Sequence, residues 1–268
     1  MAFLELTFYS KALKASTDVS VILPEISKKE PGVGALGNTP WKTLYLLHGL
    51  EGNYHAWVRN SSIVRYAKEY GIAVVMPDAG RNWYADTARG LSYFTFITEE
   101  LSEVCRSFFK GISSERENNY IAGLSMGGYG ALKAALSYPD KYAGCASLSG
   151  SVDITRRMAG PIVLDEWRAI FGFDLKSAAD LEGSQNDLFA LARRNKIAGM
   201  PFPRMYLWCG TEDGLITANR TYHALLTELG IKHGYKESEG DHSWKWWDLH
   251  IQDALTYLFG DPPGTDNS

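Results

Sequence analysis

Residues 118–136 read NNYIAGLSMGGYGALKAAL, and the change of character in mid-course decides the fold. Residues 120–124 are a short apolar run, and Gly123-Leu124-Ser125-Met126-Gly127 then turns straight into a helical pattern rich in Gly and Ala. A strand that passes through a tight turn into a helix, with a serine at the apex, is a nucleophile elbow. Glycine at 123 and 127 has a steric purpose, because a side chain at either position would collide with the neighbouring strand or helix. Small residues at Gly128, Gly130, Ala131, Ala134 and Ala135 let that helix lie close on a sheet. The pentapeptide alone is a weak signal; its place at a strand-to-helix junction near mid-chain makes it specific.

Outward from the elbow, short apolar runs recur at 43–47, 73–76, 144–148, 205–209 and 234–237. Such runs suit strands covered on both faces of a mostly parallel sheet. Helical spacing predicts helices over 56–70, 94–110, 127–138, 217–229 and 243–259 between them. Residues 4–8 and 19–23 alternate apolar and polar and read as antiparallel edge strands, followed by a Gly/Pro/Lys-rich loop at 27–40. The segment at about 151–203 interrupts the alternation with LDEWRAIFGF and SQNDLFALARRN and no strand pattern, so a helical insertion over the functional edge of the sheet is expected, walling a pocket. The layout is doubly wound α/β, and 268 residues at 45% hydrophobic content suit one domain spanning 1–268.

A serine hydroxyl is a poor nucleophile until a base takes its proton, so a histidine is required. Of six histidines, His242 lies in Glu239-Gly240-Asp241-His242, after the last strand and before a helix that Ser243 could cap. His223 and His250 fall inside helix patterns, and His233 and His55 lack a strand-end context. The acid should follow the strand after the insertion, in the order serine, acid, histidine. Asp213 in Cys209-Gly210-Thr211-Glu212-Asp213 fits, with adjacent Glu212 as the rival; Asp241 is too near His242 to turn back onto its ring. Ser125, Asp213 and His242 in that order make this an α/β-hydrolase fold with a serine triad. The oxyanion donors expected are the amide of Met126, which follows the nucleophile, and that of Leu50 in the loop His48-Gly49-Leu50-Glu51-Gly52. His48 has no H-E-x-x-H or comparable partner, so it reads as steadying its loop; no metal and no cofactor are expected.

Bulk properties narrow the partners. A net charge of −4 leaves no basic footprint for nucleic acid, and the pairs Lys28-Lys29, Arg156-Arg157 and Arg193-Arg194 read as solvated faces. Cysteines at 105, 145 and 209 match no zinc or redox spacing and read as free thiols. Glu5 interrupts the apolar stretch near the N-terminus and no run approaches a membrane span, so a cytoplasmic location without membrane contact is the expectation.

With these residues placed, the chain resembles the esterase D group of α/β-hydrolases, most closely its tributyrin esterase and feruloyl esterase-like branch. The resemblance spans residues 44–259 through YLLHGLEGN, VVMPDAGRNWYAD, GLSMGGYGALKAAL, CGTEDGL and GDHSWKWWD. It implies a serine carboxylesterase acting on short acyl esters, acetyl to butyryl, with feruloyl or acetylated carbohydrate esters also within the branch. It also implies a small-molecule ester as partner, one derived from plant polysaccharide included, and a homo-oligomer. S-formylglutathione hydrolases of the group carry G-L-T-C and H-S-M-G-G-H-G, where this chain has Gly49-Leu50-Glu51-Gly52 and Leu124-Ser125-Met126-Gly127-Gly128-Tyr129-Gly130. That thioesterase activity and acyl transfer are the alternatives, and a silent ligand-binding member is the alternative of another class. Of the aromatic set Trp83, Tyr84, Tyr93, Trp244, Trp246 and Trp247, Trp83 beside Asn82 is expected to face substrate.

Overall fold

The computed structural model describes residues 1–25, 40–156 and 161–262. The strands are β1 (Ala2–Ser10), β2 (Ala15–Leu23), β3 (Thr43–Leu47), β4 (Ala73–Pro77), β5 (Asn119–Leu124), β6 (Gly144–Leu148), β7 (Arg204–Gly210) and β8 (His233–Ser238). They form one sheet in the order β1-β2-β4-β3-β5-β6-β7-β8. Pairing is parallel from β4 to β8 and antiparallel where β2 meets β4 and β1 meets β2. The edges are β1 and β8; β2, read as an edge from its alternation, lies between β1 and β4 and is largely buried. The strand order reverses between β3 and β5, which opens a crevice at their carboxyl ends, where open α/β sheets bind ligands.

The helices are α1 (Ala56–Asn60), α2 (Ile63–Tyr70), α3 (Tyr93–Thr95), α4 (Leu101–Phe108), α5 (Met126–Ser137), α6 (Pro161–Phe171), α7 (Leu188–Ile197), α8 (Ile216–Glu228) and α9 (Trp244–Phe259). Alternate residues of each central strand feed two cores. Leu44 and Leu46 of β3 join Trp57 of α1, Tyr66 of α2 and Ile251 and Leu255 of α9 on one face. Tyr45 and Leu47 join Leu101 of α4, Leu132 of α5 and Leu226 of α8 on the other. Both faces being covered explains why these strands read as unbroken apolar runs rather than alternation.

Two helices depart from the sequence pattern. The helix expected over 56–70 breaks at Ser61-Ser62: the Ser61 hydroxyl donates to Trp57 O at 2.5 Å, and the Ser62 amide donates to Asp248 Oδ1 of α9 at 2.8 Å. Hydroxyl bonds of this kind compete with the helical ladder. The helix expected over 94–110 runs from α3 to α4 through a π-helical segment, Phe96–Glu100. Glu100 at its end accepts from Ser10 Oγ at 2.5 Å and from the amides of Lys11 at 2.7 Å and Ala12 at 3.1 Å, tying down the β1–β2 turn.

The insertion carries α6, α7 and a short 3₁₀ turn, Ala178–Leu181, and no strand among the described residues. The loop expected at 27–40 lies almost entirely, and Lys28-Lys29 and Arg157 wholly, outside the described residues. Cys105, Cys145 and Cys209 are buried free thiols, as read from their spacing. No helix among the described residues is long and apolar enough to cross a membrane.

Candidate active site

Ser125 sits between β5 and α5 with φ 53° and ψ −118°, a conformation that costs a non-glycine residue energy and persists only when its surroundings enforce it. The enforcement is visible. Ser125 N donates to Leu148 O at 2.9 Å, while Ser125 O accepts from the amides of Tyr129 and Ser151, both at 3.1 Å. A Cβ on Gly123 would lie 2.5 Å from the Gly127 carbonyl, and one on Gly127 only 2.4 Å from Leu47 O. The steric reading of both glycines therefore holds. Gly130 has another reason: its missing Cβ makes room for the Tyr84 ring, at 2.5 Å, rather than for the sheet.

His242 bridges two partners. Its Nε2 is 3.0 Å from Ser125 Oγ, and its Nδ1 is 2.8 Å from Asp213 Oδ2. The three side chains come from the ends of β5, β7 and β8, so the sheet itself sets their spacing. Asp213 is 2% exposed. Burial pushes its carboxyl upward, but bonds from His242, the Leu215 amide and the Ser149 hydroxyl outweigh it and hold the group below the usual carboxylate range. An ionised acid facing Nδ1 fixes the ring with its proton on Nδ1 and leaves Nε2 free to accept from the serine.

The rival acid points elsewhere. Glu212 accepts from the Gly240 amide at 2.5 Å and from Thr211 Oγ1 at 2.8 Å, pinning the His242 loop from below. Asp241 accepts from the Ser243 hydroxyl, so Ser243 stands at the N-cap position of α9 without bonding to its amides. Four other histidines are engaged away from Ser125: His223 with His233 at the start of β8, His250 with Ser238 and Asp253, and His55 with Ser20. Ser149, also at positive φ (47°), holds Asp213 and takes the Trp247 indole N–H at 3.1 Å. Its only trace in the sequence is its place at the end of β6.

A cleft of about 650 Å³ opens over Ser125 and His242. Gly49, Leu50 and Gly52 line it together with Leu124, Trp244 and Trp247 and the polar side chains of Asn53, Arg59 and Asn60. Among the described residues, none from the insertion lines it; α1 and the start of α9 form the wall expected from residues 151–203. Trp83, expected to face substrate, does not line the cleft. It is 2% exposed, with its ring edge-on to Tyr129 at 5.9 Å and Trp167 at 5.4 Å, because the insertion helix α6 covers it. Trp244 and Trp247 take the place expected of it, and Trp247 also meets the His242 ring edge-on at 4.9 Å. No cluster of three or more metal-ligating side chains occurs among the described residues.

The family described as "Putative esterase" matches residues 10–258. The chain belongs to that esterase family. An acetyl esterase of Caldicellulosiruptor saccharolyticus is 35% identical to it over 266 residues, covering 96% of this chain and 98% of that protein. Among solved structures, the fluorophosphonate-binding serine hydrolase F of Staphylococcus aureus superposes with a TM-score of 0.85 at 31% identity, over 97% of this chain and 99% of the other. An S-formylglutathione hydrolase of Staphylococcus aureus follows with a TM-score of 0.82 at 30% identity, over 96% and 98%. The esterase is thus a serine-type carboxylic ester hydrolase on the α/β-hydrolase fold, and substrates of such homologues are small esters.

Proposed function

We propose that this esterase hydrolyses short-chain acyl esters, acetyl to butyryl, through an acyl-enzyme on Ser125. The single observation that carries the reading is His242 held between Ser125 Oγ and Asp213 Oδ2 at hydrogen-bond distance on both sides. Ser125 Oγ attacks the ester carbonyl as His242 Nε2 takes its proton, and Asp213 stabilises the imidazolium that forms. The tetrahedral oxyanion is received by the amides of Met126 and Leu50. His242 then passes the proton to the departing alcohol, and water repeats the sequence on the acyl-serine.

Both proposed donors are supported by their surroundings. Met126 N–H opens α5, and among the described residues neither it nor Leu50 N–H donates to another protein group. The turn closed by Gly52 N to Gly49 O at 3.0 Å curls the loop over the cleft. Acetyl preference is supported by the 35% identical acetyl esterase.

The test compares wild type with Ser125→Ala on 4-nitrophenyl acetate, butyrate and octanoate, with methyl ferulate alongside. Wild type should rank acetate and butyrate above octanoate, and the variant should lose at least about 10³-fold in kcat. Equal turnover by the two proteins would remove Ser125 from the chemistry, and octanoate ahead of acetate would overturn the short-chain reading.

A further inference from the structure

Residues 79–84, which join β4 to the rest of the chain, perform no step of the reaction above, yet they are unusually constrained. Trp83 and Tyr84 have consecutive positive φ values of 52° and 46°, and both are bulky residues. Two adjacent aromatic residues in that region carry strain that something must repay. Two of its residues, Ala79 and Tyr84, bond to the β3 end that leads into the loop of Leu50, while Arg81 pairs with Glu166 of α6.

The bonds can be followed atom by atom. The Ala79 amide donates to His48 Nε2 at 3.0 Å, so Nε2 is an acceptor and the ring proton resides on Nδ1. Nδ1 donates in turn to Gly49 O at 2.7 Å. Burial lowers the His48 pKa, which keeps this tautomer uncharged. The Tyr84 hydroxyl, on a fully buried side chain, donates to His48 O at 2.9 Å. The carbonyls of two successive residues, His48 and Gly49, are thus each held by a side chain, immediately ahead of the Leu50 amide. Tyr84 is itself anchored from behind: Lys133 Nζ donates to Tyr84 O at 3.2 Å and to Asn186 Oδ1 of the insertion at 2.7 Å.

We infer that Tyr84 is a positioning residue for the oxyanion: its hydroxyl fixes the His48 carbonyl and, through it, the direction in which the Leu50 amide points. The inference rests on Leu50 as an oxyanion donor in the proposed function. A backbone donor has no side chain to orient it, and its worth depends on being aimed at the oxyanion before the charge appears. The strained Trp83-Tyr84 backbone is what brings the phenol under the loop. Gly130 on α5 is what leaves space for its ring.

Tyr84→Phe removes the one hydroxyl and keeps the ring, so it perturbs aim with little change in packing. Four quantities are compared in wild type and variant: kcat and KM on 4-nitrophenyl acetate, and the inhibition constants of a trifluoromethyl ketone and of the methyl ketone with the same skeleton. The first ketone forms a hemiketal oxyanion on the serine; the second binds largely unreacted. The expected result is a kcat lowered about tenfold to a hundredfold, KM within about twofold, a matching loss of trifluoromethyl ketone affinity, and little change for the methyl ketone. An unchanged kcat, a lowered kcat with trifluoromethyl ketone affinity intact, or equal weakening of both ketones would each overturn the inference. Ser125→Ala is run in parallel: activity surviving there refutes the nucleophile, whereas its loss beside an unaffected Tyr84→Phe refutes only the positioning role.

Discussion

Asp213 and Glu212 are neighbours in sequence, and what separates them is where their oxygens go. One Asp213 oxygen faces His242 Nδ1 and the other accepts the Leu215 amide at 2.8 Å, while Glu212 is spent on Gly240 and Thr211. Asp213→Asn keeps size but turns an acceptor into a potential donor, favouring the tautomer with its proton on Nε2, where it cannot receive the serine proton. We expect kcat on 4-nitrophenyl acetate to fall about 10³- to 10⁴-fold, with Glu212→Gln far closer to wild type. The reverse ranking would transfer the acid's role to Glu212. The sign of the pH effect follows from the same bonds. A folded pKa held below the unfolded value, about 3.9, gives Asp213 a stabilising contribution that is present above that value and lost as pH falls through the folded one.

At the scale of elements, the elbow is the part least able to tolerate change. Gly127→Ala would press a methyl to 2.4 Å from Leu47 O and 2.6 Å from His48 O, and both atoms are backbone. We expect a loss of about 3 kcal/mol, the upper range for overpacking, together with a fall in kcat, because any relief moves β3 and the Leu50 loop away from Ser125. Urea unfolding and kcat from one preparation would check this; a stable, fully active variant would mean that the elbow is looser than its contacts require. The same elements show what a sequence displays and what it hides. Thr43–Leu47 and Gly144–Leu148 match their sequence-read limits residue for residue, since strands buried on both faces are mostly apolar along their whole length. Ser125, Asp213 and His242 were legible because each stands at a strand end in a fixed chain order. The break at Ser61-Ser62 was hidden because it depends on Asp248, 186 residues away. Trp83 was misplaced for a related reason. Its local context is a loop at a strand end, and only α6, folding back from the insertion, buries it against Trp167. Contacts that close between distant segments leave no periodicity at either end.

For the molecule as a whole, Lys133 is where the parts are joined. It rises from α5, the helix that Ser125 opens, and its ammonium lies 4.3 Å from the Phe94 ring centre while donating to Tyr84 O and Asn186 Oδ1. The nucleophile helix, the segment beneath the Leu50 loop and the insertion therefore meet at one buried amine. Burial lowers its pKa to about 7, with Asp86 only partly restoring it. In the unfolded chain the same amine titrates near about 10.4. Above pH 7 the unfolded chain thus holds a proton that the folded one releases, and stability should rise with pH from this group, by up to about 1.4 kcal/mol per pH unit. The buried thiols oppose it only as pH approaches their unfolded value of about 8.5, since burial raises Cys105 to about 12. Lys133→Met retains the length and loses the charge. The urea midpoint of wild type should gain on that of the variant between pH 7 and 8.5, the thiols acting equally on both, so the difference between the two proteins changes steadily across the window. Wild type and variant running parallel would mean that Lys133 keeps its proton throughout, and that the junction is held by a charged amine sustained by Asp86, the Phe94 ring and the two oxygen acceptors.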